Sequence, residues 1–109
     1  MKIDNLSVVI ITFNEEKIIK KCIESCLLVS EDIVVIDSYS TDNTKVICER
    51  LGVNFIQHKW FGYSNQKNYG NLQAKNDWVL SIDADEILSE DFISNLYLDN
   101  FRNICFTQF

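Results

Sequence analysis

"LSVVIITF", residues 6–13, is the stretch on which the fold turns. Its β-branched run lacks the polar alternation of a half-exposed strand. It predicts a strand buried on both faces, as in a parallel sheet. "NEEKIIKKCIESCLL" (14–28) follows. Asn14 is a good N-cap, and Glu15 and Glu16 suit the positive end of a helix. Ile18, Ile19, Cys22, Ile23, Cys26 and Leu27 then fall on one helical face.

The same alternation continues along the chain. "DIVVID" (32–37) and "VNFIQ" (53–57) read as strands around a helix through "NTKVICERL" (43–51), with Ser40 and Thr41 as its capping residues and Gly52 as its stop. A loop and a helix from about Tyr63 to Ala74 follow, weakened by Gly70. "DWVLSID" (77–83) is the fourth strand. "SEDFISNLYL" (89–98) is a short helix started by Ser89, and "NICFTQF" (103–109) a fifth strand. This order predicts one α/β domain over 1–109, with a mostly parallel sheet and helices on both faces.

Bulk properties narrow the function. The chain has 109 residues, 47% of them hydrophobic, enough for one packed core. Formal charge of −6 argues against a general nucleic-acid binder. No stretch approaches a membrane span, and no signal-peptide pattern opens the chain, so a cytoplasmic location is expected. The four cysteines form no C-x-x-C pair. Cys22 and Cys26 lie one helical turn apart, but small buried side chains are the expected reading. His58 has no partner at ligand spacing and receives no role.

Ligands of such sheets sit beyond the carboxyl ends of the strands. Three polar clusters fall there: "TFNEE" (12–16), "DSYSTD" (37–42) and "DADE" (83–86). Asp83 and Asp85, two apart at a strand end, point to one side and suit a hard cation such as Mg²⁺ or Mn²⁺. A solvated acidic turn would use the same residues. Asp37 suits a base N–H or ribose hydroxyls. Thr12 and Asn14 flank the aromatic Phe13, and Lys67 in "GYSNQKN" (62–68) offers a cation to a phosphate or a base carbonyl.

Together "SVVIITFNEE", "IVVIDSYSTDNT", "WFGYSNQKNYG" and "DWVLSIDADEILS" resemble family 2 glycosyltransferases of the Rossmann-like GT-A fold. The bacterial lipopolysaccharide-core glucosyltransferases are the most similar group, and the likeness spans 7–90. The resemblance implies a nucleotide-sugar donor with UDP as the usual nucleotide, a divalent metal, a glycan or lipopolysaccharide-core acceptor, and inversion at the anomeric carbon. It implies that Thr12, Phe13, Asn14 and Glu15 line the nucleoside pocket and that Asp37 contacts the base. Lys67 and Ala84 would lie near the nucleotide-sugar, Asp83 by the ribose, and Asp85 on the metal.

The resemblance places the general base in a segment later than this chain reaches, so 1–109 is expected to be the N-terminal, donor-binding part. Work at the cytoplasmic face of the inner membrane and self-association through an unpaired strand edge are further expectations. Two other classes use the same clusters. One is a non-catalytic nucleotide- or metal-binding module. The other is a phosphotransfer domain, against which stands the position of the paired Asp after the fourth strand.

Overall fold

The computed structural model describes residues 2–98 and 107–108. Nine elements follow in chain order: β1 Leu6–Thr12, α1 Ile19–Leu27, β2 Asp32–Asp37, α2 Thr44–Arg50, β3 Asn54–Gln57, α3 Tyr63–Gln73, β4 Trp78–Asp83, α4 Glu90–Leu98 and β5 Thr107–Gln108. They build one sheet in the order β3-β2-β1-β4-β5. The first four strands run parallel, and β5 pairs antiparallel to β4. Of the expected fifth strand (103–109), residues 103–106 and 109 lie outside the described residues.

All seven residues of β1 and all six of β2 are buried, as their near-continuous apolar runs require, and the polar residues at the strand ends pair across the sheet, Ser7 with Asp32 and Thr12 with Asp37. Alternate residues serve opposite faces. Leu6, Val8 and Ile10 of β1 join Ile19, Cys22, Ile23 and Cys26 of α1, Cys48 of α2 and Leu96 of α4 in the larger core. Val9, Val34, Ile36 and Val79 face the other way, against Tyr69 of α3 and Ala74. Each fully buried Ile contributes about 1.5–3 kcal/mol relative to exposure. Cys22, Cys26 and Cys48 are free and buried, as expected of small core residues. Burial pushes the Cys48 thiol up to about 12, which keeps it protonated and unreactive.

Gly70 weakens α3 locally, as expected, and in return lets α3 sit on the sheet. A Cβ at this position would fall 2.4 Å from Val9 Cγ1 and 3.0 Å from Ile36 Cγ1. The loss of helix propensity is the cost of that close approach.

Two capping expectations are corrected. α1 begins at Ile19, not directly after Asn14, because Asn14 sits in left-handed backbone (φ 52°) and Glu15–Ile18 form a turn. At α2, Ser40 is drawn to Asp37 instead of the helix. Asp42 Oδ1 accepts from the Thr44 N–H at 2.9 Å in its place. Ser89 does cap α4, accepting from the Phe92 N–H at 3.0 Å, and Gly52 ends α2 with φ 75°.

The order 3-2-1-4 reverses direction at β1. β1 and β4 therefore flank a topological switch point, where loops leaving adjacent strands part and open a crevice.

Candidate functional site

A cavity of about 530 Å³ opens at this switch point. Ile11, Thr12, Phe13 and Glu15 enter from β1 and its following loop, and Ser38 from the end of β2. Trp60 comes from the loop into α3 and Tyr63 from its first residue, and Asp83, Ala84 and Asp85 from the end of β4. The three polar clusters thus meet at one edge. Phe13, Trp60 and Tyr63 are 56%, 44% and 63% exposed, large apolar faces offered to solvent at a cavity mouth. The Trp60 and Tyr63 rings meet edge to face at 4.9 Å, which fixes their orientation.

Of the residues singled out in the sequence, Thr12, Phe13, Glu15, Asp83, Ala84 and Asp85 line this cavity, and Asn14, Asp37 and Lys67 do not. Asp37 is fully buried beneath its floor. Its carboxylate accepts from Thr12 Oγ1 at 2.7 Å, from the Ser40 N–H at 2.7 Å and from Ser40 Oγ. The Asn14 N–H donates to Ser40 Oγ at 2.7 Å, and Asn14 Oδ1 accepts from the Thr41 N–H at 2.8 Å. These bonds tie the loop after β1 to the loop after β2. Lys67 lies half-buried on α3.

Ile11, Ser38, Trp60 and Tyr63 are the cavity residues that sequence reasoning missed. The available signal was "WFGY" (60–63), an exposed aromatic group in a glycine-bearing loop. His58, given no role, has a structural one. Its Nδ1 lies 2.9 Å from Gln66 Oε1, and its ring stacks on Tyr69 at 3.8 Å.

The β4 end of the cavity is electrostatically crowded. Burial raises the Glu15 carboxyl above the usual range, and the charges of Asp85 and then Asp42 raise it further. Glu86 is engaged locally, its Oε1 accepting from the Asp83 N–H at 2.8 Å. Among the described residues, no three His, Cys, Asp or Glu side chains form a complete metal cage. The donor set is instead carboxylates around an open cavity. That suits a hard cation held by one or two carboxylates and completed by substrate phosphates. Asp85, exposed at the mouth, and Asp83 are the residues that fit this role.

A doubly wound sheet with an acidic strand end facing an aromatic-rimmed cavity defines an α/β domain of the kind that takes its ligands beyond the carboxyl ends of the strands. The family is shown by comparison: residues 7–99 match the model for glycosyl transferase family 2, and the chain belongs to that family. It is 43% identical over 86 residues to an uncharacterized glycosyltransferase of Rickettsia bellii, an alignment covering 79% of this chain and 29% of that protein. It is 39% identical over 90 residues to the lipopolysaccharide core biosynthesis glycosyltransferase LpsC of Rhizobium meliloti, covering 78% and 33%. The chain thus spans about a third or less of the length of these relatives.

Among solved structures, residues 1–349 of Staphylococcus aureus TarS superpose with a TM-score of 0.73 at 26% identity, covering 89% of this chain and 31% of that one. Mycobacterium tuberculosis glucosyl-3-phosphoglycerate synthase, in complex with Mn²⁺, UDP and glucosyl-3-phosphoglycerate, superposes with a TM-score of 0.61 at 26% identity, covering 73% and 33%. Among the described residues, no helix is long and apolar enough to cross a membrane.

Proposed function

We propose that this chain binds the nucleoside diphosphate part of a sugar donor, and that the protein it represents transfers the sugar to an acceptor hydroxyl with inversion. The observation that carries this reading is the polarity of the switch-point cavity. Its β2/β3 end is aromatic and neutral, with Ser38, Trp60 and Tyr63, and its β4 end is acidic, with Asp83 and Asp85. A nucleobase suits the first end and a metal-bound diphosphate the second.

In this reading Phe13, Trp60 and Tyr63 offer faces for stacking a base. Thr12 and the Asn14–Ser40 bridge hold the floor rigid. Asp83 faces the ribose and Asp85 holds Mg²⁺ or Mn²⁺. When bound there, the ion neutralises charge on the diphosphate, which leaves as the acceptor oxygen bonds to the anomeric carbon. The family membership and the UDP- and Mn²⁺-bound structural neighbour support uridine and a divalent ion. The likeness to LpsC supports a cell-envelope glycan or lipopolysaccharide-core acceptor. No residue of this chain is assigned as the base that takes the acceptor proton.

Calorimetric titration of the chain with UDP, with and without MnCl₂, tests the reading. Binding that strengthens at least tenfold with Mn²⁺ and is lost in Asp85→Asn is expected. Equal affinity with and without the metal would contradict the assignment of Asp85.

A further inference from the structure

Gln66 is fully buried on α3, yet its whole amide is engaged. Nε2 donates to the backbone carbonyl of His58 at 3.2 Å and to Ser38 Oγ at 3.0 Å, while Oε1 lies 2.9 Å from His58 Nδ1. A carbonyl oxygen only accepts, so the His58 carbonyl fixes which end of the amide is the NH₂. Two consequences follow. Oε1 can only accept a hydrogen bond, so His58 carries its hydrogen on Nδ1. Ser38 Oγ must accept from Gln66, so its own O–H points elsewhere. No acceptor for that hydrogen is found among the described residues, and Ser38 lines the cavity.

We propose that Gln66 is a positioning residue that occupies one lone pair of Ser38 Oγ and turns the Ser38 O–H into the cavity, and so favours a ligand edge bearing a carbonyl, which meets that hydrogen, over one bearing an amino group, which does not. This rests on the donor-site reading above, which puts the base at the Ser38 end. The stack of Tyr69 on His58 and the bond from the His58 N–H to the Asp37 carbonyl at 2.9 Å hold the imidazole in place. The polarity therefore passes from the backbone through Gln66 to Ser38. UDP and CDP are the natural pair of probes, because their bases differ by carbonyl against amino at C4 and by N–H against a bare nitrogen at the adjoining N3, so the Ser38 variants report the C4 contribution as a change in the ratio.

The test measures UDP and CDP affinities, in Mn²⁺, for the wild-type chain and for Gln66→Met, Ser38→Ala and Ser38→Thr. The wild type is expected to prefer UDP. Gln66→Met and Ser38→Ala should each narrow that preference about five- to tenfold, the factor one neutral hydrogen bond supplies. Ser38→Thr, which keeps the hydroxyl, should retain it. A merely structural Gln66 would lower both affinities together and leave their ratio unmoved. An unchanged ratio in Ser38→Ala, or a wild-type preference for CDP, would overturn the inference while leaving the donor site standing. A chain that binds neither nucleotide would overturn the donor-site reading itself. Should Gln66→Met not fold, the two Ser38 variants decide. Independently of any ligand, ¹⁵N spectra of His58 in the neutral form should show hydrogen on Nδ1, and hydrogen on Nε2 alone would overturn the relay.

Discussion

Replacing Asp37 by alanine separates two roles for this carboxylate, a ligand contact and a hub of the fold. The side chain is fully buried and accepts from Thr12 Oγ1, the Ser40 N–H and Ser40 Oγ. Hydrogen bonds to a charged group are each worth about 1.5–3 kcal/mol. The Ser40 groups are partly exposed and recover water when the acceptor goes. The Thr12 hydroxyl, with its residue 2% exposed, does not. The net loss is then about 2–4 kcal/mol, the charge-assisted bonds less what Ser40 recovers from water, with the Thr12 hydroxyl left stranded. That is a large part of the roughly 5–15 kcal/mol by which a domain is stable.

Asp37→Asn keeps the volume and one acceptor oxygen, and the Thr12 hydroxyl can rotate to meet it. About 1–2 kcal/mol is expected there. Urea denaturation followed by circular dichroism reads both variants, with the midpoint falling steeply for Ala and modestly for Asn. An Asp37→Ala chain with a wild-type midpoint and no UDP binding would refute the hub argument and return Asp37 to the ligand.

Other expectations follow from the same geometry. Gly70→Ala gains about 1 kcal/mol of helix propensity but forces a Cβ to 2.4 Å from Val9 Cγ1. A net loss of about 1–2 kcal/mol is expected from overpacking, and an unchanged melting temperature would argue that α3 does not pack so closely. In Glu15, a folded-state pKa above the unfolded one means that ionisation opposes folding. Its contribution is fully present below the unfolded pKa and lost as pH rises through the folded one. Glu15→Gln in EDTA should therefore raise the denaturation midpoint at pH 7 and leave it unchanged near pH 4. The opposite order would contradict the crowding of Glu15 by Asp85. Trp60→Ala and Phe13→Ala should each weaken UDP binding by about three- to tenfold without shifting the denaturation midpoint, since both side chains are exposed.

The sheet was legible because its central strands are continuous apolar runs. "LSVVIIT" and "DIVVID" are buried at every position. Helix starts were less legible. Asn14 has the composition of an N-cap but takes a left-handed backbone, and its side chain serves a loop 27 residues away. Such a partner is set by tertiary structure, which no local pattern encodes.

At the site, the strand-end positions carried enough information to bring Thr12, Glu15, Asp83 and Asp85 to one edge. They did not show which of two neighbours faces the cavity. Asp37 turns inward to Thr12 and Ser40, and Ser38, one residue on, faces the ligand space. Period-two alternation at a strand end flips the face with each residue. Trp60 and Tyr63 went unseen because aromatic residues in a loop also suit a small core, and only their exposure points to a ligand. Gln66 and His58 were invisible for a further reason: their bonds form only once α3 lies on the sheet.

The central claim is that the switch-point cavity is a metal-dependent nucleoside diphosphate site, and amide NMR of the chain titrated with UDP in the presence and absence of Mg²⁺ tests it most directly. The account predicts metal-dependent shifts at Thr12, Phe13, Glu15 and Ser38 and at Asp83–Asp85, with little change at Lys2–Asn5 on the opposite edge of the sheet. A folded spectrum in which those residues do not move, or move equally without the metal, would contradict it.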